Sequence, residues 1–177
     1  ETDPENTPAL FYTGSTLNQI GRYENAIAIL NQLLLISPEN AGALHQKGRA
    51  LLRLQRYQDA HQAFTTAMEY DPDLARISLD DGEALAKLGH DEAAVAAFDR
   101  ELAKNPKNPE AATRKGAALL RLDRPSEAIT LLTESLRINP QNMWSWYYLG
   151  LAYAITEDQE NAILAFDRVL GINRQCF

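Results

Sequence analysis

Glycine recurs at Gly14, Gly48, Gly82, Gly116 and Gly150, each 34 residues after the last, so five of the nine glycines fall in one column. Alanine keeps the same interval at Ala26, Ala60, Ala94, Ala128 and Ala162, and no insertion interrupts either series. A fixed period of this length marks a stacked array, in which each unit buries its apolar face on its neighbours and no single long-range core exists. Five units exceed the roughly three that such stacking requires. They run 7–40, 41–74, 75–108, 109–142 and 143–176, behind a polar lead-in, 1–6, that is expected to be mobile.

Each unit holds two apolar-periodic stretches of about a dozen residues around a short polar corner, the pattern of a helical hairpin. In the second unit Leu44, Leu51 and Leu54 share one helix face, and Ala60, Phe64, Ala67 and Met68 share another. Spacings of three, four and seven fit a helix and no strand. Between units, Ser37-Pro38, Asp71-Pro72, Asn105-Pro106 and Asn139-Pro140 repeat with the same period. Proline drives the residue before it out of the α region and so ends the second helix. Asn40, Asn108 and Asn142 follow, each able to accept a backbone N–H and start the next helix. Within units, Gly21-Arg22-Tyr23, Gln55-Arg56-Tyr57 and Gly89-His90-Asp91 suit turns.

The fifth unit reads Trp146-x-x-Leu149-Gly150-x-x-Tyr153, then Ala162-x-x-x-Phe166. This string resembles the signature of the tetratricopeptide repeat family. The resemblance implies an all-α fold, a right-handed superhelical α-solenoid of helix-turn-helix hairpins. It also explains glycine inside a helix, where it costs on the order of 1 kcal/mol against alanine. In this fold the Gly column would face the large residues Leu30, Phe64, Phe98, Leu132 and Phe166, and a side chain there would push the two helices apart. The chain departs from the signature at Thr13, Lys47, Asp81 and Lys115, where only Leu149 supplies the expected leucine. Glu101 stands in a column otherwise filled by Leu33, Ala67, Ser135 and Val169, which makes the third unit the least apolar and, by expectation, the loosest joint.

Composition narrows the partners. A net charge of −7 disfavours nucleic acid or an anionic membrane as partner, since either needs a basic face. No run of 18 apolar residues exists, so no membrane insertion is expected. Cys176 is the single cysteine, and a reducing, cytoplasmic setting is favoured over an oxidising one. His45, His61 and His90 lack the spacing of a zinc site, the glycines form no phosphate loop, and no cofactor or catalytic residue is indicated. His61 stands in a column with Ile27, Val95, Ile129 and Ile163, so it reads as a partly buried helix residue. Asp80 and Asp81 point about 100° apart and read as a solvated face.

The family resemblance implies that the first helix of each unit lines a groove for a peptide. Transferred residue by residue, that lining is His45, Arg49, Leu52 and Arg53; then Arg76, Leu79, Asp80, Glu83 and Lys87; then Glu110, Thr113, Arg114, Ala117, Leu120 and Arg121. Basic side chains outnumber acidic ones here two to one, which suits a segment with acidic and apolar residues. Phe11 and Ser15 lack the Lys and Asn of the family's carboxylate clamp. The line Tyr12, Gln46, Asp80, Arg114 and Tyr148 lacks its asparagine ladder. In the fifth unit Trp144, Tyr147, Tyr148, Leu151 and Ile155 form an aromatic patch, with Trp144 and Tyr147 expected to be exposed for a partner. Trp146 and Tyr153, as signature positions, are expected in the core.

The function so implied is a non-catalytic scaffold for a protein or peptide partner. The alternative is an arm of a larger enzyme, a transferase or signalling protein, whose catalytic domain is elsewhere. The last helix, about 160–172, carries Ile163, Phe166, Val169, Leu170 and Ile172, more than one neighbour can hide. Either more chain follows in the parent protein, or this end meets another molecule and mediates self-association.

Overall fold

A computed structural model describes residues 6–174, the side chain of Arg174 excepted. The lead-in up to residue 5 and Cys176 lie outside the described residues. Ten α-helices and no strand occupy the described residues, and they fall into two compact units, one ending at Gly89 and the other beginning at His90. The first unit holds α1 (Thr7–Gln19), α2 (Tyr23–Ile36), α3 (Ala41–Arg53), α4 (Tyr57–Tyr70) and α5 (Ile77–Lys87). The second holds α6 (Asp91–Lys104), α7 (Pro109–Arg121), α8 (Pro125–Ile138), α9 (Met143–Ile155) and α10 (Gln159–Arg174).

Local chemistry sets these boundaries. Asn40 Oδ1 accepts the Ala43 N–H at 2.9 Å, and Asn108 and Asn142 cap α7 and α9 in the same way. Before α5 the corresponding residue is Leu74, whose side chain can accept nothing. That helix starts late, at Ile77, behind Arg76 in the left-handed region at φ 65°. The pre-proline residues Ser37, Asp71, Asn105 and Asn139 have φ between −130° and −142°, which halts α2, α4, α6 and α8. After each first helix the chain reverses through a left-handed residue. In four of these corners the next N–H reaches back to a helix carbonyl, as Arg22 does to Leu17 at 2.8 Å. Gly21 and Gly89 adopt that conformation without strain, whereas Gln55, Asp123 and Glu157, at φ 55–61°, cost roughly 1 kcal/mol each.

At Gly14, Gly48, Gly116 and Gly150 the glycine column does what its spacing implied. A Cβ on Gly48 would stand 2.5 Å from Phe64, and one on Gly14 2.7 Å from Leu30. In the second unit, Cβ atoms on Gly116 and Gly150 would each stand 2.7 Å from Leu132 and Phe166. The rest of the first unit's core is correspondingly tight, with Ala26, Leu30, Ala43, Ala50, Ala60 and Phe64 wholly buried. Glu101 is buried too, and it accepts the side-chain N–H of Asn108 at 2.8 Å, so the residue that caps α7 also satisfies the one charge in that column. A buried hydroxyl pair, Thr113 Oγ1 to Ser145 Oγ at 2.6 Å, ties α7 to α9, and Asn142 donates to the same Thr113 oxygen.

Two expectations need correction. Asp80 and Asp81 are no solvated face: both are buried, each against a histidine of the preceding hairpin. The 100° between them aims one at His45 of α3 and the other at His61 of α4. Trp146 and Tyr153 are only half-buried, because each covers one wall of an open cleft rather than filling the core.

Candidate partner-binding surfaces

In the first unit α1, the start of α2 and α3 enclose a polar cleft of about 230 Å³. Ser15, Asn18 and Gln19 come from α1, Tyr23 from α2, and Gln46, Arg49 and Arg53 from α3. The spacing of Gln46, Arg49 and Arg53 by three and four puts them on one helix face. Asn18 Nδ2 donates to the Gln46 carbonyl at 2.8 Å and fixes α1 against α3, while its Oδ1 is buried without a partner among the described residues. Arg53 makes no hydrogen bond or ion pair with any described residue. Arg49 is half-exposed, with Nε 3.7 Å from Asp80 Oδ2, too long for a hydrogen bond. No acidic side chain lines the cleft, and its charged lining residues are Arg49 and Arg53.

Beneath it lies the histidine–aspartate pairing. His45 Nε2 and Asp80 Oδ2 are 2.8 Å apart and both buried, with the imidazole edge-on to Phe64. His61 Nδ1 lies 2.6 Å from Asp81 Oδ1, and about a third of the His61 side chain is exposed. The pairs fasten α5 to both helices of the preceding hairpin. No group of three or more His, Cys, Asp or Glu able to hold a metal occurs among the described residues.

The sequence-derived surface is only partly a surface. His45 and Leu79 in the first unit, and Thr113 and Ala117 in the second, are less than a tenth exposed and serve packing, which corrects their assignment to a binding wall. Arg76 is the exposed residue ahead of α5 rather than part of its face. Arg49, Arg53 and Lys87 remain exposed, and Leu52 and Glu83 are half-buried. In the second unit Arg114 is taken up by Glu110 at 3.0 Å, and Arg121 forks onto Asp91 Oδ1 at 2.6 and 2.8 Å. The positive excess read from sequence therefore shrinks to the first unit, where Arg49 and Arg53 line the cleft and Lys87 lies outside it. Sequence reasoning missed Asn18 and Gln19 in that cleft, and read Gln46 only as a departure from the asparagine ladder. The signal for Asn18 and Gln19 was a polar α1 at positions where α3 carries Leu52 and Arg53.

On α9, Trp144 is 58% exposed and Tyr147 38%. Trp144 meets Tyr147 edge-on at 6.0 Å, and Tyr147 meets Tyr148 at 5.4 Å, which groups the rings in one cluster, and Ile155 on the same helix is exposed.

One tetratricopeptide repeat family model matches residues 45–109, 80–142 and 113–175, and a second matches 17–62. The chain belongs to the tetratricopeptide repeat family, whose arrays act as protein-interaction scaffolds. Among solved structures it is similar to MamA, at 21% identity and a TM-score of 0.87 over 98% of this chain and 94% of that one. MamA 41-end from Desulfovibrio magneticus RS-1 superposes with a TM-score of 0.90 at 19% identity, covering 99% and 98%. YrrB, described as a TPR protein with an unusual peptide-binding site, gives 0.81 at 21% identity over 92% and 84%. At these identities the likeness establishes the fold. A comparison with curated proteins finds no match. Among the described residues no helix is long and apolar enough to cross a membrane.

Proposed function

We propose that the chain binds a peptide or protein segment carrying carboxylates, and that the cleft between α1 and α3 is its anion-holding part. The observation that carries this reading is Arg53, a guanidinium without a counter-ion among the described residues, beside the half-exposed Arg49 in a cleft lined by amides and hydroxyls and no acid. Such a site favours a carboxylate through charge-assisted hydrogen bonds. The aromatic cluster of Trp144 and Tyr147 supplies an apolar contact surface on the second unit. A fluorescein-labelled peptide of alternating Glu and Leu is the probe. Arg49→Glu with Arg53→Glu should weaken its binding at least about tenfold in anisotropy titrations, with the loss shrinking as salt rises. Equal binding by both proteins rejects the assignment.

Self-association through α10 is a second reading, supported by Ile163 and Leu170 at 61% and 56% exposure, where Ile27 in the column of Ile163 is 8% exposed. Light scattering should then give a mass above the monomer that falls when Leu170 and Ile172 are made polar. A monomer in both samples rejects it.

A further inference from the structure

The α9 face turned away from Trp144 and Tyr147 borders a cleft that plays no part in the anion-holding role of α1 and α3. It lies between α8, α9 and α10 and holds about 410 Å³, within the range of sites that bind small ligands or single side-chain anchors. Leu136, Leu149 and Ala165 form its floor, each less than a tenth exposed. The rings of Trp146 and Tyr153 wall it, and Arg168 stands at its edge. The Trp146 indole is held in place by a 2.8 Å hydrogen bond from Nε1 to the Pro140 carbonyl.

One hairpin earlier the corresponding place, between α6 and α7, is bridged by an ion pair, with Lys115 Nζ donating to Asp99 Oδ1 at 2.6 Å. Thirty-four residues on, Leu149 stands in the position of Lys115 and Thr133 in that of Asp99. The exchange removes the bridge and leaves an apolar floor open. Charge then selects the ligand. No acidic residue lines the cleft, and Arg168 makes no hydrogen bond or ion pair with a described residue. Arg137, on the same rim, pairs with Glu134 at 3.0 Å, and both are highly exposed, so a stronger carboxylate can displace that pairing.

We propose that the α8–α9–α10 cleft is a second peptide-binding site, separate from the α1–α3 cleft. It takes one aromatic or leucyl side chain between Trp146 and Tyr153, with a neighbouring carboxylate on Arg168. The apolar floor provides burial and the guanidinium provides orientation and selectivity. The probe is the acetylated, amidated peptide Gly-Ser-Phe-Glu-Glu-Ser-Gly, titrated into the whole protein.

The two tryptophans report separately by their indole N–H resonances, since Trp146 lies in this cleft and Trp144 outside it. Binding should shift Trp146 and leave Trp144 in place. Arg168→Gln, at an exposed position, should weaken the affinity roughly tenfold. Thr133→Asp with Leu149→Lys, which copies the Asp99–Lys115 bridge into this step, should abolish binding. A peptide with Ser for Phe should leave Trp146 in place, and the Trp146 shift should persist in Arg49→Glu with Arg53→Glu, so failure of the α1–α3 anion subsite is read separately. The proposal is overturned if Trp146 does not move by about 1 mM peptide, or if Trp144 moves in its place. Unchanged affinity in Arg168→Gln also overturns it, and that result stands even should the bridged variant fail to fold.

Discussion

Gly48→Val should destabilise the protein by about 3 kcal/mol, with overpacking outweighing the better helix propensity of valine. A Cβ there would lie 2.5 Å from Cε1 and 2.7 Å from Cδ1 of Phe64. That ring is wholly buried in the first unit's core. Gly150→Val should cost less, because Phe166, its opposing ring, is partly exposed and can swing outward. Gly171 is the control. It sits in α10, where a Cβ would meet nothing within 4 Å, so Gly171→Ala should stabilise by about 0.5–1 kcal/mol. Urea unfolding followed by circular dichroism reads all three. A Gly48→Val protein as stable as the parent would show that close helix approach is not why this column is glycine.

Asp80→Ala should cost about 3 kcal/mol, since it strands the buried His45 imidazole without its hydrogen-bond partner. The loss should be concentrated where α5 docks on α3 and α4, and amide hydrogen exchange should rise first in α5. Asp80→Asn keeps an acceptor and should lose roughly half as much. Replacing both partners, His45→Leu with Asp80→Leu, should restore most of the stability, because no polar group is then left unpaired. If the double variant is as unstable as the two single losses added together, the two side chains are not coupled and the pair does not fasten α5.

Much of this molecule is written in short range. The helix ends follow from residues within a turn of them: Asn40, Asn108 and Asn142 cap, Pro38, Pro72, Pro106 and Pro140 stop, and Leu74, unable to cap, delays α5 to Ile77. These interactions join residues two to four apart, so a sequence states them directly. The 34-residue period extended that reach to the glycine contacts, because a repeated hairpin presents the same columns to itself.

Tertiary structure alone decided which polar residues went inside. His45 meets Asp80 across 35 positions and His61 meets Asp81 across 20, distances set by how α5 nests on the hairpin before it. Packing of the same kind buried Thr113 against Ser145, withdrew Arg121 onto Asp91, and left Arg53 without a counter-ion among the described residues. Hydrophobic periodicity fixes which face of a helix turns inward, but whether a charge near the edge of that face is exposed, paired or buried depends on the side chain that arrives from another helix. For that reason the sequence determined the family and the hairpins, and only the packed structure located the two clefts.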